Sequence, residues 1–251
     1  HLRIEIDNLD AFDVAYNMIL EKKVHQISFM DHTPGQGQYR NLEIYKKIIT
    51  SYKGKDIQEL GFDGVLERHK NKEFLSFEKL RELTLLALEN GISVSSHDDD
   101  TIEKLNINKE IGVSVSEFPI SIATAKEAKK LGFHTVAGAP NILLGGSHSG
   151  NMSAAEAICE DCIDILCSDY YPSAMLHSIF IMNQKYNIPI YDMVNKVSLN
   201  PAKAMKIDSQ YGSLEKGKKA DILIIDVLDG YPVITTVLID GYVTSSLEYR
   251  V

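Results

Sequence analysis

Tryptophan is absent from this chain of 251 residues, and cysteine occurs only three times. No apolar run approaches the roughly 20 residues of a membrane-spanning helix, which argues against a membrane protein. Basic residues are outnumbered, 26 Lys and Arg against 35 Asp and Glu, for a formal net charge of -9. Such a balance argues against a surface that wraps nucleic acid, although a small cationic pocket for phosphates is compatible with it. Cys159-x-x-Cys162 has no second pair to complete a four-cysteine metal site. Within the helix-like AAEAICEDCIDIL, Cys159, Cys162 and the nearby Cys167 read as small buried hydrophobes. An odd cysteine count without a signal peptide fits a reducing cytoplasm. The chain starts at His1 rather than Met and enters a strand almost at once, so it reads as a fragment whose native start is missing.

What is present is ordinary globular composition, 44% hydrophobic and 24% charged, enough to bury a large core. One pattern organises it. The apolar run Ile163, Ile165, Leu166, Cys167 reads as a buried strand, and it ends in Ser168 and Asp169. A carboxylate at the C-terminal tip of a buried strand is where barrel enzymes carry their chemistry. Alone, Asp169 reads equally well as a turn former or as the cap of a helix near Ser173. Upstream, however, the same arrangement recurs. Leu2–Ile6 alternates and carries Glu5, and Gln26–Met30 leads into Asp31-His32. Ser93–His97 ends on a histidine, and Val113–Phe118 ends in Glu117-Phe118.

Helices separate these strands. SFEKLRELTLLALENG has a Ser76 cap and a Gly91 stop. Tyr39 to Lys72 reads as a charged helical excursion broken at Lys53, and the segment after Asp100 as a helix to about Leu105. His134–Pro140 reads as a strand followed by a glycine-rich loop, Asn141–Asn151. Six strands alternating with helices imply parallel strands with right-handed crossovers. An open doubly wound sheet fits as well as a closed barrel. The polar residue at nearly every strand tip favours the barrel. The fold expected is therefore α/β, a TIM-like (β/α)8 barrel lacking its first strands, over residues 1–207. Residues 208–251 change texture: β-rich runs between Asp229-Gly230 and Asp240-Gly241 turns predict hairpins, the C-terminal part of a small β-sandwich.

Glu5, His32, His97, Glu117 and Asp169 form the candidate metal set. Imidazoles and carboxylates drawn from separate strands suit Zn²⁺ or Mn²⁺, as one ion or two, better than Mg²⁺. Glu5 also reads as a buried partner of Arg3.

The chain resembles the amidohydrolase superfamily, metal-dependent barrels with a sandwich built from both termini. LEKGKKADILIID and NPAKAMKI carry that likeness. More narrowly, MDHTPGQGQYR, SHDDDT, EFP, GAPNILLGGSHSGN and SDYYP resemble the PhnM-type family of phosphonate metabolism. That resemblance implies hydrolysis of α-D-ribose 1-methylphosphonate 5-triphosphate to the 5-phosphate and diphosphate. It makes Asp169 the last-strand catalytic aspartate and His97 the fifth-strand histidine. His32 stands at the fourth strand tip, where many relatives carry a bridging lysine or carboxylate. Glu117 stands where the wider superfamily has histidine, and the first-strand His-x-His or His-x-Asp motif is absent.

A triphosphate would explain the glycine-rich loop. Backbone amides at Gly145 and Gly146, with Ser147, His148 and Ser149, offer donors to phosphate oxygens. The loop reads equally as a lid. Arg40 is a candidate phosphate clamp. Tyr170 and Tyr171 are candidates to wall the ribose, or core rings at the barrel rim. The partner expected is a small phosphorylated ribose phosphonate, not nucleic acid or membrane, with homo-oligomerisation left open. Two other functions remain: an amidohydrolase acting on a cyclic amide or aminated base, and a non-catalytic barrel acting as a scaffold in a phosphonate-degrading assembly.

Overall fold

The computed structural model describes residues 1–51, 55–146 and 151–249. The break expected at Lys53 and the loop residues Ser147, His148 and Ser149 lie outside them. Among the described residues, parallel strands form one sheet in the order β1-β2-β3-β4-β5-β6. They are β1 (Leu2–Glu5), β2 (Gln26–Met30), β3 (Ser93–His97), β4 (Val115–Glu117), β5 (His134–Gly138) and β6 (Ile165–Cys167). Two compact units divide the chain inside β5. The first is His1–Val136 with Ser147–Met152, and the second is Ala137–Gly146 with Ser153–Val251.

In the first unit, strand parity sorts the residues. Ile4, Ile27, Phe29 and Val94 join one core with Ile19 of α1 (Ala11–Leu20), Leu83 of α4 (Phe77–Glu89) and Leu105 of α5 (Ile102–Ile111). Successive residues of a strand point to opposite faces, so Arg3, Glu5, Ser28, Ser95, His97 and Glu117 line the other face. This division explains why Ser28 and Ser95 stand inside buried strands: they serve a polar interior, whereas Ser96 and Ser116 lie on the helix face and bond Asp99.

Helix signals act as the side chains require. The Ser76 side chain accepts from Lys79 N at 3.3 Å and caps α4. Ser121 does the same for α6 (Ile122–Lys130), accepting from Thr124 N at 3.1 Å. Between β2 and α4 the excursion forms α2 (Leu42–Ser51) and α3 (Lys55–Lys70). Two expectations are corrected. The helix after Asp100 runs to Ile111, where Gly112 ends it at φ 100°. The expected glycine-rich loop is helical at its start, α7 (Ala139–Leu144), because Pro140 suits a first helical turn and Gly145 closes it at φ 75°.

In the second unit, α8 (Ala154–Cys159) precedes β6, and α9 (Ala174–Tyr186), α10 (Ile190–Val197) and α11 (Leu199–Ala204) follow it. Cys162 is buried as expected, whereas Cys159 is exposed because α8 ends there. The buried Lys196 ammonium donates to Ile163 O at 2.6 Å, and Asn200 to Asp164 O at 2.8 Å, so α10 and α11 hold the root of β6. Residues 222–246 form the antiparallel strands β7 (Ile222–Leu228), β8 (Tyr231–Ile239) and β9 (Tyr242–Ser246). Both connecting turns have two positive φ angles, 50° and 83° at Asp229-Gly230 and 50° and 82° at Asp240-Gly241. That is the twist a two-residue hairpin requires.

Candidate metal centre

The ends of β2 and β3 bring three ligand-bearing side chains together: His32, His97 and Asp98, whose ligand atoms lie within 4.8 Å of one another. His97 is the last residue of β3, on the polar face. Asp98 follows it at φ 54°, a left-handed backbone that re-aims its carboxylate at the tip. An aspartate tolerates this conformation better than most residues. His32 lies two residues beyond β2, on the loop that starts at Asp31.

Hydrogen bonds define the atoms on offer. His32 Nδ1 donates to Glu5 Oε1 at 2.7 Å, which leaves Nε2 turned toward Asp98 Oδ2 at 3.8 Å. His97 Nδ1 lies 2.9 Å from Asp98 Oδ2. Yet both atoms are buried without a hydrogen-bond partner among the described residues, so the approach lacks hydrogen-bond alignment. Buried polar atoms are normally satisfied. Two facing, unsatisfied ligand atoms, with a second imidazole nitrogen beside them, fit a divalent cation with mixed nitrogen and oxygen donors. On the far side of the ring, Arg3 Nη2 donates to His97 Nε2 at 3.0 Å. A guanidinium cannot accept, so in this state the neutral imidazole carries its own proton on Nδ1. The hydrogen bond to Glu5 raises the His32 pKa above its ordinary value of 6.5, with the Glu5 and Asp98 charges assisting and burial opposing.

The loops carrying these groups are tied down. Asp31 accepts from Thr33 N at 3.1 Å and from the Gln36 side chain. Asp100 Oδ2 accepts from Gly37 N at 2.7 Å, joining the two loops. Asp99, fully buried, accepts from Ser96 Oγ at 2.6 Å, Ser116 Oγ at 2.5 Å and Asn108 Nδ2 at 2.8 Å. Burial pushes its carboxyl above the ordinary range while these donors pull it back.

Of the five residues expected to ligate, the convergence includes His32 and His97. Glu5 reaches it through its hydrogen bond to His32. Glu117 turns along the polar face and accepts from Ser95 Oγ at 2.7 Å, Ser28 Oγ at 3.1 Å and Gln26 Nε2 at 3.2 Å. Asp169 lies two residues past β6, in the second unit, at φ 48°. It does not cap α9, whose first flanking residue is Ser173. Arg40 closes a 3-10 turn over Gly37–Tyr39 and is exposed. Tyr170 and Tyr171 are 60% and 48% exposed, which rules out core rings. Gly145 and Gly146 end α7. The amide of Ala154, opening α8, is taken by Asn141 Oδ1 at 2.9 Å, and that of Glu156 by Ser153 Oγ at 3.4 Å. Asp98 escaped the sequence reading. The signal available was its place directly after a strand-tip histidine.

The sequence profile of the amidohydrolase family matches residues 18–244. The alpha-D-ribose 1-methylphosphonate 5-triphosphate diphosphatase of Escherichia coli (strain K12) is 30% identical over 238 residues, 92% of this chain. The chain spans only 61% of that relative's length. An imidazolonepropionase of Picrophilus torridus is 36% identical over 59 residues, 24% of this chain and 15% of that protein. Among solved structures, an amidohydrolase from Thermotoga maritima superposes with a TM-score of 0.54 at 20% identity, covering 82% of this chain and 54% of its own. The ochratoxinase of A. niger superposes at 0.60 with 13% identity, covering 96% of this chain and 55% of its own. At such identities these two likenesses concern the fold alone.

Proposed function

The chain belongs to the amidohydrolase family, and from that premise we propose that it is part of a metal-dependent hydrolase cleaving α-D-ribose 1-methylphosphonate 5-triphosphate to the 5-phosphate and diphosphate. The observation carrying the hydrolase reading is the convergence of His32, His97 and Asp98 with two unsatisfied buried ligand atoms. The substrate is supported by 30% identity to the E. coli diphosphatase over 238 residues and by the motifs around Asp31, His97 and Gly145.

His32, His97 and Asp98 would hold Zn²⁺ or Mn²⁺, with a second ion sharing the site if Glu117 or Asp169 joins it. When bound, such an ion polarises phosphoryl oxygens and makes water more acidic. The chain's own residues would do the rest. Arg40, the Gly145 and Gly146 amides, Ser147, His148 and Ser149 would bind and orient the triphosphate, and Tyr170 and Tyr171 would border the ribose. Asp169 would accept the attacking water's proton. Water's oxygen ends on phosphorus, the α–β phosphoanhydride bond breaks, and diphosphate leaves with the bridging oxygen. This is mainly positioning and electrostatics. A cytoplasmic location is part of this reading, supported by the odd cysteine count. Among the described residues no helix is long and apolar enough to cross a membrane.

The similarity to imidazolonepropionase over 59 residues favours a second reading, cleavage of a cyclic amide. Full-length protein loaded with Zn²⁺ or Mn²⁺ should release diphosphate from the ribosyl triphosphate and leave cyclic amides intact. Turnover of amides alone would replace the first reading with the second. No bound transition metal and no turnover of either would favour a scaffold.

A further inference from the structure

We infer that Glu5 is a positioning residue rather than a ligand: it holds the proton of His32 on Nδ1, so that Nε2 is the nitrogen presented to the cation. The inference rests on reading His32, His97 and Asp98 as a cation site. A carboxylate can only accept, so the 2.7 Å contact between His32 Nδ1 and Glu5 Oε1 requires a hydrogen on Nδ1. A neutral imidazole has one N–H, and the lone pair is then on Nε2. That nitrogen faces Asp98 Oδ2 at 3.8 Å, a separation one ion could bridge but a hydrogen bond could not. The ring is held in this attitude. Tyr39 packs on one side with ring centroids 5.7 Å apart, and His97 meets it edge-on at 5.9 Å. Glu5 itself is 42% exposed and stays outside the trio. Strand parity explains its reach, since Glu5 ends β1 on the face that His97 shares.

The test separates orientation from ligation. Glutamine at position 5 keeps an oxygen that accepts from Nδ1–H but is a poor ligand, whereas alanine removes both capacities. In full-length, metal-free protein, with the pH raised until the His32 ring ¹⁵N shifts stop changing, long-range ¹H–¹⁵N NMR should show the neutral His32 ring as the Nδ1–H form. The same form should persist in Glu5→Gln, and a tautomer mixture should appear in Glu5→Ala. Zn²⁺ affinity, measured by chelator competition, should fall about 10- to 100-fold in Glu5→Ala and stay within about threefold in Glu5→Gln. Equal losses in both variants would make Glu5 a ligand and overturn the inference. So would a wild-type His32 protonated on Nε2. Wild-type protein that takes up no Zn²⁺ would instead sink the cation reading, and with it any role of Glu5 toward an ion, while the NMR result would still decide the tautomer.

Discussion

His97 Nδ1 and Asp98 Oδ2 stand 2.9 Å apart, and neither has a hydrogen-bond partner among the described residues. A buried carboxylate left in this state costs stability unless something else meets it. Asp98→Asn should therefore leave metal-free protein no less stable to heat, because asparagine also tolerates the left-handed backbone at φ 54°. Zn²⁺ affinity should drop by more than about 100-fold, beyond what loss of an outer partner causes. A variant that keeps wild-type affinity would remove Asp98 from the site.

Arg3 opposes the ion. Its donation to His97 Nε2 at 3.0 Å keeps the imidazole proton on Nδ1, the nitrogen nearest Asp98. For His97 to offer Nδ1 to a cation, its proton would have to sit on Nε2, where the Arg3 guanidinium now donates. The guanidinium charge also repels a cation close by. Arg3→Met should raise Zn²⁺ affinity, by about tenfold if it removes about 1.4 kcal/mol of opposition. Weaker binding in this variant would mean that Arg3 supports the ion-bound ring instead.

Gly37 has two reasons to be glycine. Its φ is 53°, and a Cβ there would lie 3.2 Å from Asp98 Cβ and 3.3 Å from Asp98 O. Gly37→Ala should displace Asp98 and weaken Zn²⁺ binding about tenfold, although residue 37 carries no ligand. Gly35 supplies the control. It also has a positive φ, 96°, but open space around it. Gly35→Ala should strain the loop and spare the affinity. Equal losses in both would point to loop strain alone.

The bounds of β2 and β3 were legible residue for residue, although Ser95-Ser96-His97 and Phe29-Met30 break the alternation of apolar and polar side chains. The Ser76 cap and the Asp-Gly turns were legible because their chemistry is local. The run Asp98-Asp99-Asp100 was not. Three identical residues take three roles: Asp98 meets the histidines, Asp99 is buried under two serines and an asparagine, and Asp100 holds Gly37. Those roles depend on backbone direction at Asp98 and on partners up to 63 residues away, which no local pattern encodes. Family membership was legible from long motifs. Substrate identity is not a property of the fold.

Metal-free protein should show the Glu5–His32 pair in its pH dependence. The folded pKa of His32 is raised above 6.5 by the Glu5 hydrogen bond. A raised histidine pKa contributes stability that is fully present below the unfolded value and is lost as pH climbs through the folded value. The melting temperature of wild type should exceed that of Glu5→Ala most between about pH 5 and 6.5. The gap should narrow above that. A gap that widens toward pH 8.5 would contradict the protonated pair.

Asp99 anchors the ligand loop from below. Three side-chain donors, Ser96, Ser116 and Asn108, converge on a carboxyl group with no exposed surface. They come from β3, β4 and α5, so one side chain ties three elements beneath the tip that carries His97 and Asp98. Asp99→Ala leaves Ser96 and Ser116 buried, and Asn108 half-buried, without this partner. It should cost about 3 kcal/mol, the range for losing hydrogen bonds to a charged group and stranding their partners, and lower the urea midpoint accordingly. Because Asp99 adjoins Asp98 but points to the helix face, the same variant should also lose Zn²⁺ affinity under conditions where it remains folded by circular dichroism. Ser116→Ala removes one donor from β4 and leaves the loop's own ties to Ser96 and Asn108 in place. It should cost about 1 kcal/mol and keep near-wild-type affinity. If Ser116→Ala loses as much affinity as Asp99→Ala, the ion depends on the β4 contact itself rather than on the anchored loop.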